Sequence, residues 1–184
     1  MVEGEPFEVQ ELHYREAEEK VAYVKRVQVD YFTDAISAKG VWILRRLADQ
    51  ASAGLLADQG EVLVAEKVVG FKKIKFGTLE NVGSGEVELP QQEMHTASLW
   101  LTVDPELLDE ISPRKDDLVD GLRGLAHLFH GMAPLFLLCD PRDLGAWVGD
   151  RAPAEPGAVA TAQSMKTRLL AAQRFAPTIY LYDS

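Results

Sequence analysis

The sequence predicts an α+β fold: an antiparallel, bent or barrel-like sheet, then a helical half packed on it, with the last strand returning to the sheet. Three observations carry this. Val, Tyr and Phe alternate with polar residues through the first half, leucines recur at helical spacing in the second, and the final PTIYLYDS is again β-rich. The expected division is a β-rich lobe over 1–103 and a helical lobe with a C-terminal strand over 104–184.

PFEVQELH (6–13) and KVAYVKRVQVDYFT (20–33) read as two antiparallel strands joined through the charged YREAEEK. KGVWILRRL (39–47) suits a third strand or a short helix, because periodicity does not separate the two over so short an apolar run. EVLVAEKVVGFKKIKF (61–76) is β-rich throughout, and Gly70 in its middle predicts a bulge or sharp bend. In ENVGSGEVELP (80–90), Asn and Gly supply the residues of a hairpin turn, with a short strand after it. MHTASLWLTV (94–103) is the next strand. By alternation His95, Ala97, Leu99, Leu101 and Val103 share one face, and Met94, Thr96, Ser98, Trp100 and Thr102 the other. The first of these faces is expected to be the apolar one.

Residues 105–133 read as helical, broken at Ser112 and Pro113 and restarting near Arg114. Leu118, Leu122, Leu125, Phe129 and Met132 form the expected buried stripe, with Asp116, Asp120, Arg123, His127 and His130 opposite. Gly121 and Gly124 lower helix propensity and suggest a close-packed backbone neighbour. Pro134 is expected to end the helix or open a new turn, and LFLLC (135–139) to be buried. DPRDLGAW resembles a helix start, with Asp140 as N-cap and Pro141 at the first position. GDRAPAEPGAVA (149–160) reads as a linker, and TAQSMKTRLLAAQRF (161–175) as a helix leading into the last strand.

The 184 residues are 47% hydrophobic, enough for a genuine core, and carry 19 basic against 29 acidic side chains, a net charge of −10. That balance repels a phosphate backbone at long range, so any nucleic-acid contact must be local. Cys139 is the only cysteine, which excludes an internal disulfide and any zinc site needing two cysteines of this chain. A reducing cytoplasm is the expected location, with no membrane partner: there is no signal-like N-terminus and no uncharged run of spanning length.

Motifs for chemistry are sparse. No phosphate-binding loop and no nucleophile elbow occurs, and Gly83 and Gly85 have neither the third glycine nor the helix of a dinucleotide site. His127 and His130 have metal-ligand spacing but share a face with Asp120 and Arg123, which marks solvent. Cys139 has too apolar a setting for a thiolate nucleophile. His95 reads as a hydrogen-bonded histidine at the core edge. A hydrolase would need it to meet Asp140 or Asp143 in a cleft. One segment runs against the acidic balance: GFKKIKFG (70–77) has three lysines, two phenylalanines and no acid. Phe71, Lys73 and Lys75 share a face of a regular strand there, combining an aromatic platform for a base with cations for phosphates. The same composition also suits an edge strand protected from aggregation.

The segments GEPFEVQELHYREAEEKVAYVKRVQVDYFTDA, VVGFKKIKFGTLENVGSGEVELPQQEMHTASLWLTV, GLRGLAHLFHGMAPLFLLCDPRDLG and PTIYLYDS resemble, in that order, the C-terminal region of a family of superfamily 2 DEAD/DEAH-box DNA helicases. The family includes the bacterial mitomycin repair helicases and their fungal relatives of the RecQ-like group. The resemblance implies RecA-like motor lobes upstream in the same parent chain. Downstream it implies a Pro-Gly-Gly-x-Gly segment and four zinc-binding cysteines, the module once called a domain of unknown function. Ser184 precedes both, so the chain is expected to be a fragment without metal, nucleotide or catalysis of its own, the parent using ATP, Mg and Zn. The implied role is support of a 3′ to 5′ translocase in DNA repair, guiding single-stranded DNA. Phe71, Lys72, Lys73 and Lys75 are the residues expected to touch it, followed by Tyr31, His95 and Trp100. The alternative is a scaffold that packs on the motor lobes, carries the zinc module and binds no ligand.

Overall fold

The computed structural model describes residues 5–13, 21–52, 54–87, 89–104, 106–108, 114–151, 160–161 and 176–184. The YREAEEK connection, the break at Ser112 and Pro113, most of the 149–160 linker and nearly all of the expected 161–175 helix lie outside them. In chain order the elements are β1 (Phe7–His13), β2 (Val21–Arg26), β3 (Tyr31–Ser52), β4 (Leu55–Lys75), β5 (Asn81–Glu86) and β6 (Gln92–Val103). After these come α1 (Lys115–Leu137), a single 3-10 turn (Pro141–Asp143), β7 (Leu144–Asp150), β8 (Ala160–Thr161) and β9 (Pro177–Asp183). An antiparallel sheet, one helix packed on it and a last strand that rejoins it match the expected class. KGVWILRRL is strand, part of the 22-residue β3.

Two compact units emerge: residues 1–36 with 70–87, and 37–69 with 88–184. The β-rich stretch up to 103 thus contributes to both. In the second unit the strand order is β7-β9-β6-β4-β3-β8. β4 and β6 pair antiparallel from Leu55↔Val103 to Glu66↔Gln92, and β9 lies between β6 and β7, antiparallel to each. In the first unit β1 pairs with β2, and the far half of β4 pairs with β5. Gly70 marks the residue at which β4 begins pairing with β5. The register shift lies further on, between Lys73 and Ile74. A Cβ at Gly70 would meet the Gly85 carbonyl at 2.8 Å, so a close backbone approach, not a bulge, requires glycine there.

The sheet of the second unit has two differently covered faces. Trp100, Val41, Val62, Val64, Tyr180 and Tyr182 form one core cluster. On the other face Leu122 and Ala126 of α1 pack with Val103 and Ile179. Buried polar groups on β6 and β9 satisfy each other: Thr102 and Thr178 share a 2.9 Å hydrogen bond, and Ser98 donates to the Leu181 carbonyl at 2.8 Å. Lys39 donates to the Tyr182 hydroxyl at 2.9 Å and sits 3.2 Å from Glu66.

Several expectations about the second half are corrected. Pro134 does not end α1, which runs on to Leu137; Leu138, at φ 54°, closes it by donating its N–H to the Pro134 carbonyl at 2.9 Å. LFLLC is not buried: Leu135 is 75% exposed, Phe136 76% and Leu138 91%. The buried face of α1 is rotated from the expected stripe, because Val119 and Ala126 point into the core while Met132 is exposed. The cap at Asp140 is real, a capping box with Asp143. It opens only one turn, and LGAWVGD then forms strand β7 on β9. Pairing with a buried strand outweighs a local helix-start signal.

Tyr180 yields a pH prediction. It is fully buried and donates its hydroxyl to the Asp150 carbonyl at 2.9 Å. Burial, with the Asp150 charge second, pushes its pKa well above the usual tyrosine value. Burial opposes the charge on Lys39, but the Tyr182 hydroxyl and Glu66 outweigh it and raise its pKa. In both cases the folded state holds its proton after the unfolded state has lost it. The stability linked to these protons is therefore fully present and independent of pH near neutrality, and is lost as pH rises above about 10, by up to about 1.4 kcal/mol per pH unit for Tyr180. Urea unfolding across pH 8–11.5 should show that loss, with a shallower slope in Tyr180→Phe; equal slopes would remove Tyr180 as its source.

Candidate nucleic acid interface

The GFKKIKFG segment forms the outgoing arm of the β4–β5 hairpin, within the first unit. The predicted turn at Asn81 and Gly83 is displaced. The chain reverses at Phe76–Glu80, with Gly77 at φ 82° and Leu79 at φ 58°, and Asn81–Glu86 is the return strand. Gly83 and Gly85 therefore serve the strand, not a turn. They stand directly across from Lys73 and Phe71, and a Cβ on Gly85 would strike the Phe71 ring at 2.6 Å. Bare backbone on β5 lets the Phe71 ring and the Lys73 stem lie across the hairpin instead of competing with opposing side chains.

Tyr31 joins this face from the start of β3: the Lys73 ammonium lies 5.0 Å from its ring centroid, within the range of a cation–π contact. Lys75 lies 3.8 Å from Asp30, an exposed and long ion pair that contributes little. Lys72 alternates to the opposite face and is exposed. Of these candidates Tyr31 and Lys73 are in contact, and Phe71 and Lys75 lie two residues to either side of Lys73 on the same strand. Sequence reasoning missed Phe32, whose ring packs at 5.7 Å on Phe76 beside the turn. The alternation of VDYF separates Tyr31 from Phe32 but says nothing of which ring meets which strand.

The two remaining candidates lie elsewhere, in the second unit. His95 is exposed, not at a core edge. The face it shares with Leu99, Leu101 and Val103 is covered by α1 only around Leu101 and Val103, and Leu99 is left 43% exposed. Trp100 points the other way and is wholly buried, so it offers no ring to a base. Among the described residues no hydrogen bond joins His95 to Asp140 or Asp143. Asp140 instead accepts from the Arg142 side chain at 2.9 Å, and that guanidinium holds its carboxyl below the usual range. His130 donates to the Leu144 carbonyl at 2.8 Å, which ties α1 to β7. No group of three or more potential metal ligands occurs among the described residues. No described helix is long and apolar enough to cross a membrane. An open hollow of about 730 Å³ lies along Glu5, Pro6 and Arg26–Asp30. Its one arginine is paired with Glu5 at 2.5 Å, which leaves little charge for a phosphate.

No family model matches the chain. A helicase of Bacillus subtilis (strain 168), described as the uncharacterized ATP-dependent helicase YprA, is 30% identical over 181 residues, which is 98% of this chain and 21% of that protein. The crystal structure of DUF1998 helicase MrfA bound to DNA matches with a TM-score of 0.63 at 30% identity, over 98% of this chain and 21% of that one. The chain is thus similar to one region of these helicases. It spans about one fifth of the length of these relatives. The match covers both units, so the β4–β5 hairpin with its lysines and the sheet with α1 are both similar to that one region of these helicases.

Proposed function

We propose that this chain is an accessory region of an ATP-dependent DNA helicase, without catalysis of its own, and that Tyr31, Phe71, Lys72, Lys73 and Lys75 guide single-stranded DNA. The carrying observation is the likeness, over nearly the whole chain, to MrfA in a DNA-bound structure. The hairpin supports it independently, since the Lys73 ammonium meets the Tyr31 ring on a strand that carries two further lysines in a chain that is otherwise acidic. Hydrolysis of ATP with Mg, a zinc module, 3′ to 5′ polarity, a role in DNA repair and a cytoplasmic location belong to the parent protein on this reading. The scaffold alternative draws support from the exposed Leu135–Leu138 segment, an apolar surface of the kind that meets protein.

Fluorescence anisotropy with a labelled oligothymidine of about 20 nucleotides distinguishes the two. Combining Lys73→Glu with Lys75→Glu should weaken binding at least about tenfold at low salt, and flatten the salt dependence by about 0.7 for each phosphate no longer neutralised. Tyr31→Ala or Phe71→Ala should cost about 1–3 kcal/mol where a base stacks. Binding that is absent, or indifferent to all four changes, favours the scaffold.

A further inference from the structure

The outer side of α1 has the composition of an interior. On a helix lying against a sheet, the solvent side ordinarily carries charge. Here Gly121, Gly124, Leu128, Gly131, Met132 and Leu135 recur at intervals of three and four and share that side. Leu128 is 52% exposed, Met132 42% and Leu135 75%. At each of the three glycines, nothing stands within 4 Å of where a Cβ would lie. No lysine, arginine, aspartate or glutamate occurs between Arg123 and Asp140. Glycine weakens a helix relative to alanine, so three on one face call for a compensating neighbour, and no described part of this chain provides it.

The chemistry of the stripe narrows the occupant. It carries no lysine or arginine and is bordered by the exposed Asp120, which disfavours nucleic acid. Its glycines form notches between bulky leucine and methionine ridges, the relief into which the side chains of a second helix pack. Its length, about 20 Å from Gly121 to Leu135, suits two helices crossing at a shallow angle. The matched relatives are about five times as long as the region this chain covers. We propose that the outer face of α1 seats an apolar helix supplied by the part of the helicase polypeptide outside these 184 residues. This rests on the reading of the chain as a helicase region.

The test compares thiol labelling of Leu135→Cys, in a Cys139→Ser background and followed at the peptide that contains residue 135 by mass spectrometry, between the 184-residue chain and the full-length product of the gene. Maleimide should react rapidly with the short chain and at least about tenfold more slowly with the long one. Gly124→Leu, which fills a notch, should restore rapid labelling in the long chain and leave the short chain's rate unchanged. Equal rates in a folded long chain overturn the proposal. So does protection of the short chain that grows with its own concentration, which would assign the face to a second copy. The underlying reading fails separately, if the gene encodes no motor motifs around this region, a result read from DNA sequence and not from labelling.

Discussion

Trp100→Ala is expected to destabilise the fold by about 3–5 kcal/mol, the range for emptying a fully buried aromatic site. The side chain is 0% exposed within the cluster of Val41, Val62, Val64, Tyr180 and Tyr182, and its ring centroid lies 6.4 Å from that of Tyr180. These residues come from four strands, β3, β4, β6 and β9, so the cavity would open where the sheet is held from several sides and collapse is difficult. The indole N–H finds no acceptor there, so Trp100 contributes through its volume and not through a hydrogen bond. Trp100→Phe, which keeps much of that volume and removes the orphaned donor, should cost less than half as much. Urea unfolding followed by far-UV circular dichroism measures both. A cost below about 1 kcal/mol for the alanine variant would show that the site relaxes, contrary to its burial.

Asp58→Ala is the second large effect, at about 3–5 kcal/mol. The Asp58 side chain is wholly buried and answers two arginines: Arg151 donates to Oδ2 at 2.9 Å, and Arg46 Nε approaches Oδ1 at 2.5 Å. The Arg46 contact is an ion pair without hydrogen-bond alignment, since Oδ1 has no hydrogen-bond partner by geometry. Removing the carboxylate leaves two guanidiniums facing each other without a counter-charge, although Arg46 also reaches Asp49 at 3.1 Å and so keeps some compensation. Because Asp58 lies on β4 and Arg151 follows directly on β7, the pair fastens the middle of the sheet to its edge strand. A double-mutant cycle of Asp58→Ala with Arg151→Ala should show coupling, the double variant losing less than the two singles added. Additive losses would mean that the pair does not act as a unit.

The local features legible in the sequence were those set by near neighbours. Strand alternation separated the two faces of β6 correctly, the start of α1 at Lys115 followed from the Ser-Pro break and Arg114, and the Asp140 cap followed from Pro141 directly after it. That Phe71, Lys73 and Lys75 alternate along a single strand was also legible, because they lie two apart in a β-rich run. What failed was the choice of which face would be covered. His95 and Trp100 occupy opposite faces, and the more apolar-looking one is only partly covered by α1, while the face with Thr96, Ser98 and Thr102 holds the core because those hydroxyls find partners on β9. The glycines of β5 failed for a similar reason: their role depends on Phe71 and Lys73 across the ladder, and pairing register is a non-local fact.

The sequence by itself determined the mixed α and β content, the chain's acidity, the lone basic segment and the resemblance to a region of the DUF1998 helicases. Composition and short-range periodicity encode the first three directly, and the order of the matching segments carries the fourth. Only the tertiary structure decided that Tyr31 meets Lys73, that Trp100 is sealed away from any ligand, and that α1 keeps an apolar side uncovered. Each of these depends on contacts between residues distant in the chain, whose energies arise from burial and pairing after the strands have found their partners.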